Sequence, residues 1–141
     1  MIEKRINEIS ELNDIERLQL GKYSAKVYYN FCMNLTDSID NCNTLFVASI
    51  CTIVGIDLSV DKEEYNYFRS LLKDTNIDFD TFYDLVKGWT NKKTIIDTDN
   101  LFDNLMDDDT KKAFLNLIIC LAYSNGELNK NELNLINKYY R

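Results

Sequence analysis

A run of oxygen-bearing side chains follows a predicted buried helix near residue 125. Asn125, Glu127 and Glu132 surround Gly126 in a polar turn. Carboxylate, amide and main-chain oxygens are the ligands that calcium prefers. The same turn also suits a structural role, because Gly126 can end one helix and Asn129 with Glu132 can cap the next. The pattern therefore predicts either a cation-binding turn or two helix caps that need no ligand.

A second candidate for chemistry is the run of aspartates from Asp97 to Asp109. An EF-hand loop that began at Asp97 would need an oxygen ligand where Leu101 stands and a glycine directly after it, and this glycine is missing. We therefore reject a calcium loop here. The run predicts either a solvated acidic face or a docking surface for a basic partner, with Asp107, Asp108 and Asp109 as the candidate partner-binding residues.

Residue types that the sequence lacks exclude several kinds of active site. Histidine is absent, which excludes histidine bases and His-ligated zinc or haem. There is no glycine-rich phosphate loop and no serine or cysteine paired with a base. We therefore predict a protein that is not an enzyme, with an active site built only from carboxylates as the alternative. The cysteines show no C-x-x-C pair and are predicted to be buried thiols rather than a disulfide or metal site: Cys32, Cys42, Cys51 and Cys120.

The charge balance indicates the class of partner. The formal net charge is −7 at pH 7, whereas nucleic-acid binding needs a basic surface. We therefore expect a protein partner with a basic surface and no nucleic acid. No signal-peptide pattern follows Met1, and no apolar run reaches the roughly 18 residues that span a bilayer. A cytoplasmic protein without direct membrane insertion is predicted, and its oligomeric state is left open.

Hydrophobic periodicity predicts the helices that must position these residues. The sequence has no proline and only four glycines, so long helices meet few breakers. Segment 2–35 predicts one or two amphipathic helices, with Gly21 as a candidate break. Segments 45–54 and 113–123 are apolar on nearly every side and are predicted to be core helices. The remaining helices are predicted behind Asp61, from Asp78 or Asp80 to the 88–93 region, near 101–106 and at 130–140, and Asp40 or Asn41 is predicted to cap the helix at 45–54.

The two core helices are followed by similar segments, which indicates an internal repeat. Residues 45–58 match residues 115–128, and the cap pair Asp61 and Glu64 then matches Asn129 and Glu132. We predict an all-α, compact single-domain helical bundle with two pseudo-repeated helix-turn-helix units. The units cover roughly 41–75 and 110–141, and residues 1–40 form an N-terminal helical extension that packs on the bundle.

The turn after the second core helix resembles the TerB-like (tellurite-resistance) domain family of bacteria. In that family a buried helix runs into the pattern Ala-x-x-Asp-Gly-x-(apolar)-x-x-x-Glu. Ala122, Gly126 and Glu132 stand at the matching places, and Asn125 replaces the aspartate. In the first unit, Gly55-Ile56-Asp57 stands where an aspartate-glycine pair is expected.

The resemblance implies an all-helical domain of two such units, with divalent-cation binding near the turns and a role in stress or phage-defence complexes at membranes. Carried over by position, it implies two sets of candidate ligands: Asp57, Asp61 and Glu64 in the first unit, and Asn125, Glu127 and Glu132 in the second. Calcium or magnesium is expected rather than zinc, because the sequence offers no imidazole.

The composition and helix patterns, together with the resemblance to the TerB-like family, predict a non-enzymatic TerB-like binding module of a bacterial stress or tellurite-resistance system. We expect it to act through protein partners and to respond to a divalent cation. A peripheral place at the inner membrane face, reached through those partners, is compatible with this role. The alternative is a small acidic inhibitor or immunity-type protein that docks a basic protein surface through its Asp-rich face.

Overall fold

Helices form the framework of the molecule. The computed structural model describes residues 2–54, 66, 69–71, 75, 77–90 and 100–122. Within these ranges no β-strand occurs, which confirms the predicted all-α class. The helices are α1 (Ile2–Ser10), α2 (Asp14–Leu35), α3 (Ile39–Val54), α4 (Phe79–Thr90), a π-helical segment (Leu101–Leu105) and α5 (Asp108–Ala122).

The first two helices are separated at Asn13, so the predicted break at Gly21 is wrong. Asn13 Oδ1 accepts a hydrogen bond from the Glu16 amide at 2.8 Å, and Glu16 Oε1 accepts one from the Asn13 amide at 3.2 Å. This capping box satisfies two amides that have no partner inside the helix. Gly21 lies buried within α2, where the missing Cβ permits close packing.

Arg17 joins the end of α1 to α2. Its Nε donates to the main-chain carbonyl of Ile9 at 3.3 Å, and its Nη2 donates to those of Ser10 and Leu12 at 3.1 and 2.9 Å. Carbonyls at the end of a helix lack partners within the helix, and a cation there is favourable for the helix dipole. Arg17 therefore fixes the position of α1, which carries Arg5 to the surface of α5.

Helix α3 begins at Ile39, well before the predicted start at Leu45. Ser38 Oγ accepts a hydrogen bond from the Asn41 amide at 3.1 Å, so the residue that caps α3 is Ser38 and not Asp40 or Asn41. Asp40 and Asn41 are accommodated because they lie on the exposed side of this helix start, whereas Asn43 is buried and accepts a hydrogen bond from the Tyr29 hydroxyl.

Two buried hydrogen bonds set the packing of α2 against α3. The hydroxyls of Tyr28 and Ser49 lie 2.6 Å apart, and the Tyr29 hydroxyl donates to Asn43 Oδ1 at 2.6 Å. Buried polar groups are costly without a partner. These pairs therefore favour a single register between the two helices.

Helix α5 lies at the centre of the described structure and contacts α1, α2 and α3. Every side chain from Ala113 to Leu121 is buried, as predicted for a core helix. The ring of Phe114 lies 4.8 Å from that of Tyr28, and Tyr28 lies 5.6 Å from Phe46, measured between centroids. This aromatic cluster joins α2, α3 and α5.

The segment before α5 differs from the predicted short helix near 101–106. The α-helical spacing of Leu101, Phe102, Leu105 and Met106 predicts one apolar face. Leu101, Phe102 and Met106 are buried, but Leu105 is 46% exposed. The Met106 amide donates to the Leu101 carbonyl at 3.0 Å, an i+5 bond that widens the turn. The wider turn rotates Leu105 away from the apolar face that α-helical spacing would have given it.

All four cysteines are buried free thiols, which confirms that prediction. Burial raises the pKa of Cys32 and of Cys42 above the ordinary thiol range. Both thiols therefore stay protonated and unreactive at neutral pH.

Several predicted features lie outside the described residues. They are the turn after Val54, the cap pair Asp61 and Glu64, the turn at Asn125 and the closing helix at 130–140. The helix predicted behind Asp61 is described only at Asn66 and over 69–71, where the backbone is helical and Leu71 is buried. No described helix is long and apolar enough to span a membrane.

Candidate functional site

The predicted metal ligands do not fall in the described part of the chain. They are Asp57, Asp61 and Glu64 in the first unit and Asn125, Glu127 and Glu132 in the second. Among the residues that the structure describes, no group of three or more carboxylates, cysteines or histidines is placed to hold a metal ion. The cation site stays a prediction from the sequence.

The candidate partner-binding residues lie at the start of α5, and Asp107 is its cap. Asp107 Oδ1 accepts a hydrogen bond from the Thr110 amide at 2.7 Å, and the Asp107 carbonyl accepts one from the Lys111 amide at 2.9 Å. The start of α4 has the same geometry, with Thr81 donating to Asp78 Oδ1 at 2.7 Å. Capping thus accounts for the position of Asp107.

Capping does not account for Asp108 and Asp109. Both occupy the first turn of α5, both are exposed, and neither forms an ion pair with a residue that the structure describes. Carboxylates at this place are favourable for the helix dipole. They also add negative charge to an open surface, where they can attract a basic partner.

A groove beside Asp108, which we call the Phe102 groove, has a volume of about 380 Å³. Phe102 and Leu115 supply its apolar part. The charged side chains that line it are of both signs: Asp103, Asp108, Arg5, Lys111 and Lys112. The ammonium group of Lys111 lies 5.4 Å from the centroid of the Phe102 ring, within the range of a cation-π contact. An apolar side chain of a partner therefore fits this groove.

Arg5 and Asn116 also line the Phe102 groove, and sequence reasoning missed both. Arg5 Nε donates to Asn116 Oδ1 at 2.9 Å, and Arg5 Nη1 lies 3.0 Å from Glu8 Oε2. Asn116 is 6% exposed in the middle of α5. The available signal was the polar residue inside the apolar run 113–121, because a buried amide needs hydrogen-bond partners.

The acid stability of the protein is expected to depend on Asp107. The Thr110 amide, and next the Thr110 hydroxyl, hold the pKa of Asp107 below its ordinary value in the folded protein. The ionised Asp107 carboxylate therefore adds to the free energy of unfolding. Its contribution is complete above the unfolded pKa of about 3.9 and is lost as pH falls through the lower folded pKa. Asp107→Asn retains a capping side chain but cannot ionise. Thermal melts should show a deficit for this variant at pH 6 that disappears near pH 2, and a deficit independent of pH would contradict the assignment.

Comparison with known proteins gives no relative: no family model, curated protein or solved structure matches the chain.

Proposed function

We propose that this protein is a non-enzymatic, TerB-like binding module that docks a basic protein surface through Asp107, Asp108 and Asp109. The observation that carries the docking proposal is the pair of exposed carboxylates, Asp108 and Asp109, which have no ion-pair partner among the described residues. Charge of one sign on an open surface steers a partner of the opposite sign and orients it. The overall charge of −7 acts in the same direction.

The packing of α3 and α5 supports the TerB-like part of the proposal. These helices correspond to the two core helices of the predicted repeat, and they contact each other. Apolar residues of both are buried in one core. A paired arrangement of two buried helices is what two helix-turn-helix units require. The stress-response role depends on the sequence resemblance.

The Phe102 groove gives the docking surface a second kind of contact. Charged residues at the rim of an interface contribute mainly to the association rate, whereas buried apolar contacts contribute to affinity. Phe102 and Leu115 lie next to the carboxylates of Asp103 and Asp108. An apolar side chain of the partner can therefore fill the groove, while neighbouring basic residues of the partner face Asp108 and Asp109.

Carbodiimide cross-linking in an extract of the source cells tests the docking surface, because this reagent joins carboxylates to lysine amines in direct contact. We expect a lysine-bearing partner to be joined at Asp107, Asp108 or Asp109, as located by mass spectrometry. Asp108→Asn with Asp109→Asn should reduce the cross-linked product strongly. Asp80→Asn with Asp84→Asn removes two exposed carboxylates from α4 and should leave the product unchanged. Undiminished cross-linking in the first variant would contradict the proposal.

A divalent-cation response is a second candidate function, favoured by the sequence pattern from Ala122 to Glu132. A ligand that binds only the folded state raises the melting temperature. Chelator-stripped protein should therefore melt at a higher temperature with calcium or magnesium, and Glu127→Ala with Glu132→Ala should abolish the shift. Manganese and zinc serve as comparison cations at matched ionic strength. A flat response to every cation would leave these residues as helix caps.

A further inference from the structure

A second groove lies between α1, α2 and α5, next to the Phe102 groove, and the two share Arg5, Lys112 and Asn116. We call it the Tyr23 groove. It has a volume of about 530 Å³, which falls within the roughly 300–1,000 Å³ of small-molecule sites. Arg5 comes from α1, Tyr23 and Ser24 come from α2, and Lys112 and Asn116 come from α5. Three helices therefore build one concave surface.

Ser24, which lines this groove, has a buried hydroxyl without a partner. The residue is 1% exposed, and its Oγ makes no hydrogen bond. Among the described residues, no other fully buried side-chain oxygen or nitrogen lacks a hydrogen-bond partner. Such groups are rare in folded proteins because each carries a desolvation cost. Because the hydroxyl has almost no accessible surface in this rotamer, a ligand in the groove supplies the missing partner only after Ser24 rotates toward it.

Asn116 provides a second unused donor in the same groove. Its Oδ1 accepts from Arg5 Nε at 2.9 Å, which fixes the amide orientation because the guanidinium can only donate. The Nδ2 group then has no hydrogen-bond partner among the described residues, although Asn116 is only 6% exposed. The ammonium group of Lys112, one helical turn earlier on α5, forms no ion pair within the described chain.

The charge of the groove selects a monoanion. Arg5 is already paired with Glu8, so Lys112 is the cation of the lining that has no ion pair among the described residues, and Asp109 is the carboxylate of the lining. Unused N–H donors beside a cation form charge-assisted hydrogen bonds to a carboxylate. A dianion such as a phosphate ester would leave one negative charge unmatched next to Asp109.

The remaining wall is apolar and suits a hydrocarbon or aromatic tail. Leu20, Tyr23, Val27 and Ala113 supply it, and Tyr23 is 68% exposed. An exposed aromatic ring offers a large contact area at a low cost in conformational entropy. From these contacts we infer that the Tyr23 groove binds a small organic monocarboxylate with an apolar tail. The carboxylate lies against Lys112 and Asn116, and the tail lies along Tyr23.

Titration with 3-phenylpropionate, octanoate and indole-3-acetate, followed by amide NMR, tests this site. We expect shifts concentrated in residues 20–27 and 109–116 for at least one acid, with a dissociation constant below about 1 mM. The matching carboxamide should bind at least about tenfold more weakly, because it lacks the charge that Lys112 contacts. The same carboxylate could also come from the C-terminus of a peptide. An acetylated tripeptide with a C-terminal phenylalanine tests this alternative. Binding of the tripeptide alone, or of no acid, would overturn the inference.

Two substitutions distinguish a ligand site from a structural role. Lys112→Met should weaken binding of the acid about tenfold, whereas Lys87→Met, an exposed control on α4, should have no effect. Ser24→Ala should raise the melting temperature of the free protein, because it removes the unsatisfied hydroxyl, and should weaken acid binding. A lower melting temperature with unchanged binding would show a structural serine and contradict the site.

Discussion

Replacement of Phe114 by alanine is expected to lower the free energy of unfolding by about 3–5 kcal/mol. Phe114 is fully buried, and its ring lies 4.8 Å from Tyr28 and 6.4 Å from Phe102, measured between centroids. The substitution therefore leaves a cavity where α2, the π-helical segment and α5 meet. Domains are stable by only about 5–15 kcal/mol, so this loss removes a large share of the total.

Urea denaturation followed by circular dichroism measures this effect. Phe114→Leu keeps most of the volume and should cost clearly less than the alanine variant. Ile15→Ala is the matched control, because Ile15 is 71% exposed on α2 and should change the free energy of unfolding by no more than about 0.5 kcal/mol. A loss below about 1 kcal/mol for Phe114→Ala would contradict a core centred on this aromatic cluster.

The helices and their buried faces were largely predictable from the sequence, but their ends were less so. Helix α5 was recognisable because apolar residues occupy nearly every side of it. The break between α1 and α2 was assigned to Gly21, whereas α1 ends at Ser10 and the capping box of Asn13 and Glu16 starts α2. Two satisfied amides outweigh the modest cost of a glycine inside a helix.

The candidate site was predictable only where it depends on local sequence. The helix predicted over 113–123 begins earlier, at Asp108, and is capped by Asp107. Such a cap can be recognised from local sequence, because it involves residues three positions apart. The contact between Arg5 and Asn116 joins residues 111 positions apart, and it arises from the packing of α1 on α5. Leu105 was assigned to the wrong face because α-helical spacing does not anticipate a π-helical turn.

Removal of the three carboxylates at the start of α5 is expected to weaken partner binding by about tenfold or more at low salt. Exposed ion pairs contribute roughly 0.2–1 kcal/mol each, and charges at an interface act together on association. Asp107→Asn, Asp108→Asn and Asp109→Asn remove the charge while the asparagine at 107 still caps the helix. The loss should therefore appear in binding and not in the helix content of the protein.

The start of α4 provides a matched control for this variant. Asp78 caps α4 as Asp107 caps α5, and each accepts a hydrogen bond from a threonine amide at 2.7 Å. Asp80 lies in the first turn of α4, and Asp84 is exposed further along it. Asparagine at Asp78, Asp80 and Asp84 removes the same formal charge and also retains a cap. A difference between the two triple variants therefore depends on position and not on net charge.

The most direct measurement is the dissociation constant of the cross-linked partner, once purified, for the natural protein and both triple variants at low and high salt. The account predicts a loss of about tenfold or more at low salt for the α5 variant alone. The difference should shrink near 1 M salt, where the Debye length falls to about 3 Å. Equal binding by the two triple variants at low salt would contradict docking through Asp107, Asp108 and Asp109.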